Sequence, residues 1–188
     1  MHHSTSKRDD LRNLADLVAS CQGLKVVPWV DSSVGSSCKV VFDLRSDYVE
    51  RFWLSILGPS ATWFARYVAS EFAIHPDGFP LDLMEVASRL GLGGSGSRRS
   101  LLVKAIARCG TFGLLKVVYR ADREYVDRAG REYVYRAGRE YDEVDISRGD
   151  LAFRQALPVL PPKYLKRLTD ALQKEHEIFL RELSVSNR

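Results

Sequence analysis

The sequence predicts a mainly α chain with a small β-sheet, an α+β fold, and three observations carry that prediction. Apolar residues recur at a spacing of three and four over most of the chain. Three short β-branched runs, LKVVPWV, CKVVFDL and LLKVVYR, interrupt that rhythm and supply strands. Glycine and proline at Gly23, Gly58, Pro59 and Gly91 punctuate the segments. At 188 residues, with 45% apolar and 28% charged residues, the chain has the composition of a globular protein with one real core.

Residues 1–46 read as an N-terminal helix followed by a β-rich arm. After a polar start from Met1 to Lys7, Leu11, Leu14, Leu17, Val18 and Cys21 share one side of a helix that Gly23 ends. The two β-rich runs that follow are separated by DSSVGSS, and Pro28 predicts an edge strand or a break. From Asp47 a helix places Tyr48, Val49, Phe52, Trp53, Ile56 and Leu57 on one face, with Asp47 and Glu50 spaced as a capping box. After Gly58 and Pro59, SATWFARYVASEFAI is apolar nearly all round and is expected to be the buried central helix.

The stretch from Pro80 to Ala121 gives the order helix, glycine-serine turn, helix, strand, which is that of a winged helix-turn-helix core spanning 47–121. Asp82 and Glu85 mark the start of its first helix, with Leu81 able to staple onto Val86. Leu83, Met84, Val86, Ala87 and Leu90 form the apolar side. Gly91 stops this helix, GLGGSGS turns the chain, and Ser97 is the expected cap of the next. In that second helix Leu101, Leu102, Ala105, Ile106 and Cys109 form the expected inward stripe. Ser100, Val103, Lys104 and Ala107 are expected to face outward, with Arg99 and Arg108 at the edges.

Charge points to an anionic partner for this motif. Arg98 and Arg99 are expected in the first helical turn, where the helix dipole disfavours cations and a phosphate would relieve them. From Val86 to Ala121 there is no Asp or Glu beside seven Arg and Lys, where the average composition would place about four to five acids. The expected interface with double-stranded DNA has Ser100, Val103, Lys104 and Ala107 facing the major groove. Arg98, Arg99 and Arg108 would take phosphates, and Lys116, Arg120 and Arg123 of the wing would reach the flanking backbone. The chain is then a transcriptional regulator or replication-associated factor. The alternative is a winged-helix protein-protein interaction module, because small outward residues also suit a close helix contact.

YVERFWLSILGPSATWFARYVASEF, followed by DGFPLDLMEVASRLGLG, resembles the opening of a group of actinobacterial proteins with winged-helix-like sequences. LGPSATW resembles, more distantly, the first helix of the N-terminal winged-helix domain of DnaD-type replication initiation proteins. The resemblance covers about Asp43 to Lys116. It implies a winged-helix fold with DNA-associated roles and supplies no catalytic residues.

Residues 120–150 read as an extended wing built on three tandem octapeptides, RADREYVD, RAGREYVY and RAGREYDE. The Ala-Gly pairs are candidate turns and the REYV segments candidate strands. Acids in the repeat nearly cancel its arginines, so a self-paired ribbon competes with a nucleic-acid arm. Residues 151–188 are expected to close the chain with a C-terminal helix. Its stripe Leu165, Leu168, Leu172, Phe179 and Leu183 is interrupted around Glu175 and His176. Packing on its own domain is the first expectation for that stripe and a homodimer through the helix is the second.

Other function classes find little support. Gly91, Gly93 and Gly96 spell G-x-G-x-x-G, but they follow a helix, not a strand, so no dinucleotide site is expected. Cys21, Cys38 and Cys109 lack metal-ligand spacing, and His2, His3, His75 and His176 lack ligand or triad partners. No catalytic residue, cofactor or metal is expected, and the chain reads as a non-enzyme. With no apolar run long enough to span a bilayer and reduced core thiols, a cytoplasmic location without membrane contact is expected. The net charge of +4 is mild, so the argument rests on where cations cluster.

Overall fold

In a computed structural model the described residues are 14, 18, 24–29, 40–93, 100–121, 124–127 and 149–186. They form strands β1 (Lys25–Pro28) and β2 (Val41–Asp43), a π-helical turn Val49–Trp53 running into helix α1 (Leu54–Leu57), and helix α2 (Pro59–Ile74). Next come β3 (Phe79–Pro80), α3 (Leu83–Arg89), α4 (Leu101–Thr111), β4 (Leu115–Ala121) and β5 (Glu124–Asp127). The chain continues through β6 (Gly149–Phe153), β7 (Ala156–Pro158), α5 (Pro162–Leu165) and α6 (Asp170–Ser186). The structure is a mixed α and β fold with a small sheet, as expected for an α+β chain.

The two β-rich runs near the N-terminus go to different sheets. β2 pairs antiparallel with β7 in a two-stranded sheet, whereas β1 enters a five-stranded sheet of order β3-β1-β6-β4-β5. β1 runs parallel to β6 and antiparallel to β3, with Val26 opposite both Leu151 and Phe79. Pro28 is therefore not on an edge strand. Trp29 N–H donates to the Phe153 carbonyl at 2.8 Å, so the neighbouring Pro28 nitrogen faces the β3 side, where pairing has already ended at Val26. The residue that lacks a donor stands where no donor is required. Period-two alternation sends Val26, Leu151, Phe153 and Leu115 into the main core and Lys116, Val118, Asp150 and Ala152 to the opposite face.

Helix α2 lies at the centre of the core, but one of its sides is open. Ala61, Thr62, Phe64, Ala65, Val68, Ala69 and Phe72 are buried, while Trp63 is 60% exposed. That corrects the expectation of a helix buried all round. Trp63 keeps company with Arg66, whose guanidinium sits 5.6 Å from the indole and pairs with Glu50. Glu50 is thus committed to α2. The turn before α1 is wound more widely than an α-helix, with Leu54 N–H donating to the Val49 carbonyl. It buries Tyr48, Val49, Phe52 and Trp53.

Around α3 the sequence reading holds at the cap. Asp82 Oδ1 accepts from the backbone N–H of Met84 at 2.8 Å and of Glu85 at 3.0 Å, and Leu81 and Val86 are buried. The Glu85 carboxylate pairs with Arg89 at 2.7 Å, and Met84 is 52% exposed. Gly91, at a φ of 64°, ends the helix in the left-handed region as expected.

The first octapeptide copy shows how one repeat unit is used. Its opening Arg120 and Ala121 end β4, Ala121 pairs with Glu124 across Asp122 and Arg123, and Glu124–Asp127 returns as β5. The Ala-Gly pairs at 129 to 130 and 137 to 138 lie outside the described residues.

The C-terminal segment is two helices with a bend between them. The Leu172 N–H donates to Thr169 Oγ1 at 3.4 Å, and Leu168 is buried in the bend. Leu165, Leu172, Phe179 and Leu180 pack against the main core, so the stripe is used on its own domain. His176 belongs to that packed side. At 2% exposure it is one of the most buried polar residues, which overturns its reading as an interruption of the stripe.

Candidate nucleic-acid interface

Helix α4 starts at Leu101, with Ser100 as its cap. The Ser100 hydroxyl accepts from Val103 N–H at 3.1 Å, so the cap expected at Ser97 belongs three residues later. Leu102, Val103, Ala105, Ile106 and Cys109 are buried, and this face packs on α2. The outward side carries Leu101, Lys104 and Arg108, with Ala107 half-buried. Two members of the expected groove-facing set are therefore misplaced: Ser100 is 8% exposed and Val103 is 1% exposed. Leu101, assigned inward, is 53% exposed. Residues 101 and 103 flank the apolar arc on opposite edges, and a small rotation of the helix toward the Val103 edge exchanges them.

Arg108 is exposed, yet its guanidinium has a partner inside the chain. Nη2 donates to the Ile56 carbonyl at 2.8 Å, and the group lies 5.4 Å from the Phe112 ring. It thereby fills an open carbonyl in the last turn of α1, where a cation also suits the helix dipole. Lys116 is half-buried on the sheet face opposite the main core. Its ammonium lies 4.6 Å from the Trp29 ring, and the Arg154 guanidinium lies 3.9 Å from the same ring. Arg154 also donates through Nε to the Gly113 carbonyl at 3.0 Å. Cation and indole contacts of this kind fix β1 against the start of β4.

Arg89 is similarly engaged, with Glu85 at 2.7 Å and Glu71 at 3.7 Å. Thus, among the described residues between Val86 and Ala121, the cations Arg89, Arg108 and Lys116 have structural partners. Lys104 stands exposed in the first turn of α4. Arg120 lies near the end of β4 opposite Tyr125. Arg98, Arg99 and Arg123 lie outside the described residues. No local pattern marks the Trp29 contacts, because they join residues far apart along the chain.

Cys109 is an interior thiol and not a reactive one. It is fully buried, burial pushes its pKa well up, and its sulfur lies 3.7 Å from the Ala61 carbonyl oxygen. No helix among the described residues is long and apolar enough to cross a membrane. Comparison of the chain with protein-family models, curated proteins and solved structures gave no match.

Proposed function

We propose that the chain binds duplex DNA through a winged helix-turn-helix made of α2, β3, α3, α4, β4 and β6. The observation that carries this reading is the sequence of connections. A helix and a short strand lead into two helices, and the second passes through a three-residue turn into β4, which pairs antiparallel with β6. With β5 set between β4 and β6 in the chain, this matches the helix-strand-helix-helix-strand-strand order of a winged helix. β3 also runs antiparallel to β6, with β1 lying between them. In this reading α4 is the recognition helix, Leu101 and Lys104 are its outward contacts, and Arg98 and Arg99 lead into it. Arg120 and Arg123 belong to the wing. Ser100, Val103 and Arg108 support the helix from inside the protein, and Lys116 supports the sheet.

This reading assigns five cations to phosphate contact: Arg98, Arg99, Lys104, Arg120 and Arg123. If all five engage, log affinity falls against log salt with a slope of roughly −4 to −5. Fluorescence anisotropy against a mixed-sequence labelled duplex at two salt concentrations tests this. Salt-sensitive binding that drops in the double variant Arg98→Ala, Arg99→Ala supports a winged helix on DNA. A complex indifferent to salt, or none at low salt, refutes it.

A second reading, as a protein-protein interaction module, is favoured by one specific observation. The first turn of α4 presents the 53% exposed Leu101 beside Lys104, while Arg108 is committed to Ile56. A surface of that kind suits an apolar partner. In the same titration this reading expects no duplex binding.

A further inference from the structure

Helix α6 is held to the rest of the chain at a buried junction with few polar groups. Tyr48 precedes the π-helical turn, and its phenol oxygen accepts from Leu160 N–H at 2.8 Å and meets His176 Nε2 at 2.7 Å. One hydroxyl therefore joins three separate parts of the chain. The surroundings are aromatic. Phe42 stacks on Tyr48 at 3.7 Å, Phe52 meets the imidazole edge-on at 4.9 Å, and Phe179 lies 5.3 Å from Tyr48.

The proton count at this junction is tight. The hydroxyl has one proton to give, and Leu160 N–H already donates to its oxygen, so neutral His176 accepts that proton at Nε2. This assignment follows from the network and places the imidazole proton on Nδ1. Protonated His176 would carry a hydrogen on Nε2 as well. Tyr48 would then have to accept twice, and its own hydrogen would lose its acceptor among aromatic rings.

No carboxylate described near the junction is buried with His176 to compensate the new charge. Glu175, one residue before His176, is paired with Arg51 from the π-helical turn, and Glu177 is exposed to solvent. Asp43, at the end of β2, is paired with Arg45. Tyr48 itself stays neutral, since burial raises its pKa. The rings offer an imidazolium some attraction, but removing a cation from water costs more than such contacts return.

We propose that α6 is a proton-released strap, docked while His176 is neutral and lifted when His176 is protonated. Burial holds the imidazole pKa below its ordinary 6.5, with Glu177 opposing that shift. The docked state therefore binds fewer protons than the undocked one. Docking is at full strength above pH 6.5 and weakens as pH falls through the window below it.

Hydrogen exchange of the full chain at about pH 7.5 and about pH 5.5, corrected for intrinsic exchange chemistry, tests the strap. The expected result is less protection across Asp170–Ser186 at the lower pH, by up to about tenfold, with α2 unchanged. His176→Gln, which keeps polar atoms near Nε2 but does not titrate, should remove that step. An equal loss in α2 and α6, no loss in α6, or the same step in the Gln variant each overturns the proposal. Should the variant fail to fold, NMR titration of His176 in the native chain decides. An imidazole titrating at or above 6.5 refutes the strap, and one titrating below it together with the α6 step sustains it.

Discussion

The Arg108 guanidinium donates to the carbonyl oxygen of Ile56 at 2.8 Å, joining α4 to the end of α1. A basic residue on the most basic stretch of the chain thus serves the fold. Arg108→Ala removes a charge-assisted hydrogen bond to a helix end, and a loss of about 1–2 kcal/mol in urea unfolding is expected. Arg108→Lys should recover only part of it, because an ammonium lacks the planar fork. A salt slope of DNA binding that flattens in Arg108→Ala would instead place this cation on a phosphate.

The two edges of α4 give an internal comparison. Val103→Ala removes two methyl groups from a buried site and should cost about 1–3 kcal/mol, whereas Leu101→Ala should stay within about 0.5 kcal/mol. Thermal unfolding of the pair reads this directly. The reverse order would return the helix to the orientation first expected from its sequence.

Gly78 is a stricter position. Its φ is 109°, and a Cβ there would lie 2.4 Å from the Val26 carbonyl oxygen and 3.2 Å from Val27 Cα. Both neighbours are backbone, so neither can swing aside. Gly78→Ala should cost more than about 3 kcal/mol or prevent folding. A variant within about 1 kcal/mol of the parent would contradict the close approach of β3 to β1.

Tyr48→Phe keeps the ring and removes the oxygen that serves both Leu160 and His176. The buried Leu160 N–H then lacks its acceptor, and a loss of about 1–3 kcal/mol near neutral pH is expected in chemical unfolding. An unchanged midpoint would remove Tyr48 from the support of the C-terminal helix.

Local chemistry made part of this protein legible from its sequence. Asp82 caps α3 because a short carboxylate before an apolar helix has few better uses, and Gly91 closes the same helix through backbone freedom alone. The rest depends on partners distant in the chain. Nothing near Val26 announces Leu151 as its neighbour, so LKVVPWV could be read as a strand but not placed between two others. Hydrophobicity could not rank Leu101 against Val103, since both bound the same arc. His176 looked like a polar break because its hydrogen-bond partner is Tyr48, near the other end of the chain. For the candidate interface, sequence located the cations, but only the structure reveals that Arg108 and Lys116 lie against Ile56 and Trp29.

The position of β1 also orders events during synthesis. Val26 leaves the ribosome before α2, α3 and α4, whereas its parallel partner Leu151 follows only after all three have emerged. Until then one side of β1 has an unpaired backbone edge, with only β3 available on the other. An interior strand of the finished sheet is therefore translated well before it can be paired on both sides. Completion of the sheet waits on a long-range closure, a step that topology makes slower than the helical contacts preceding it.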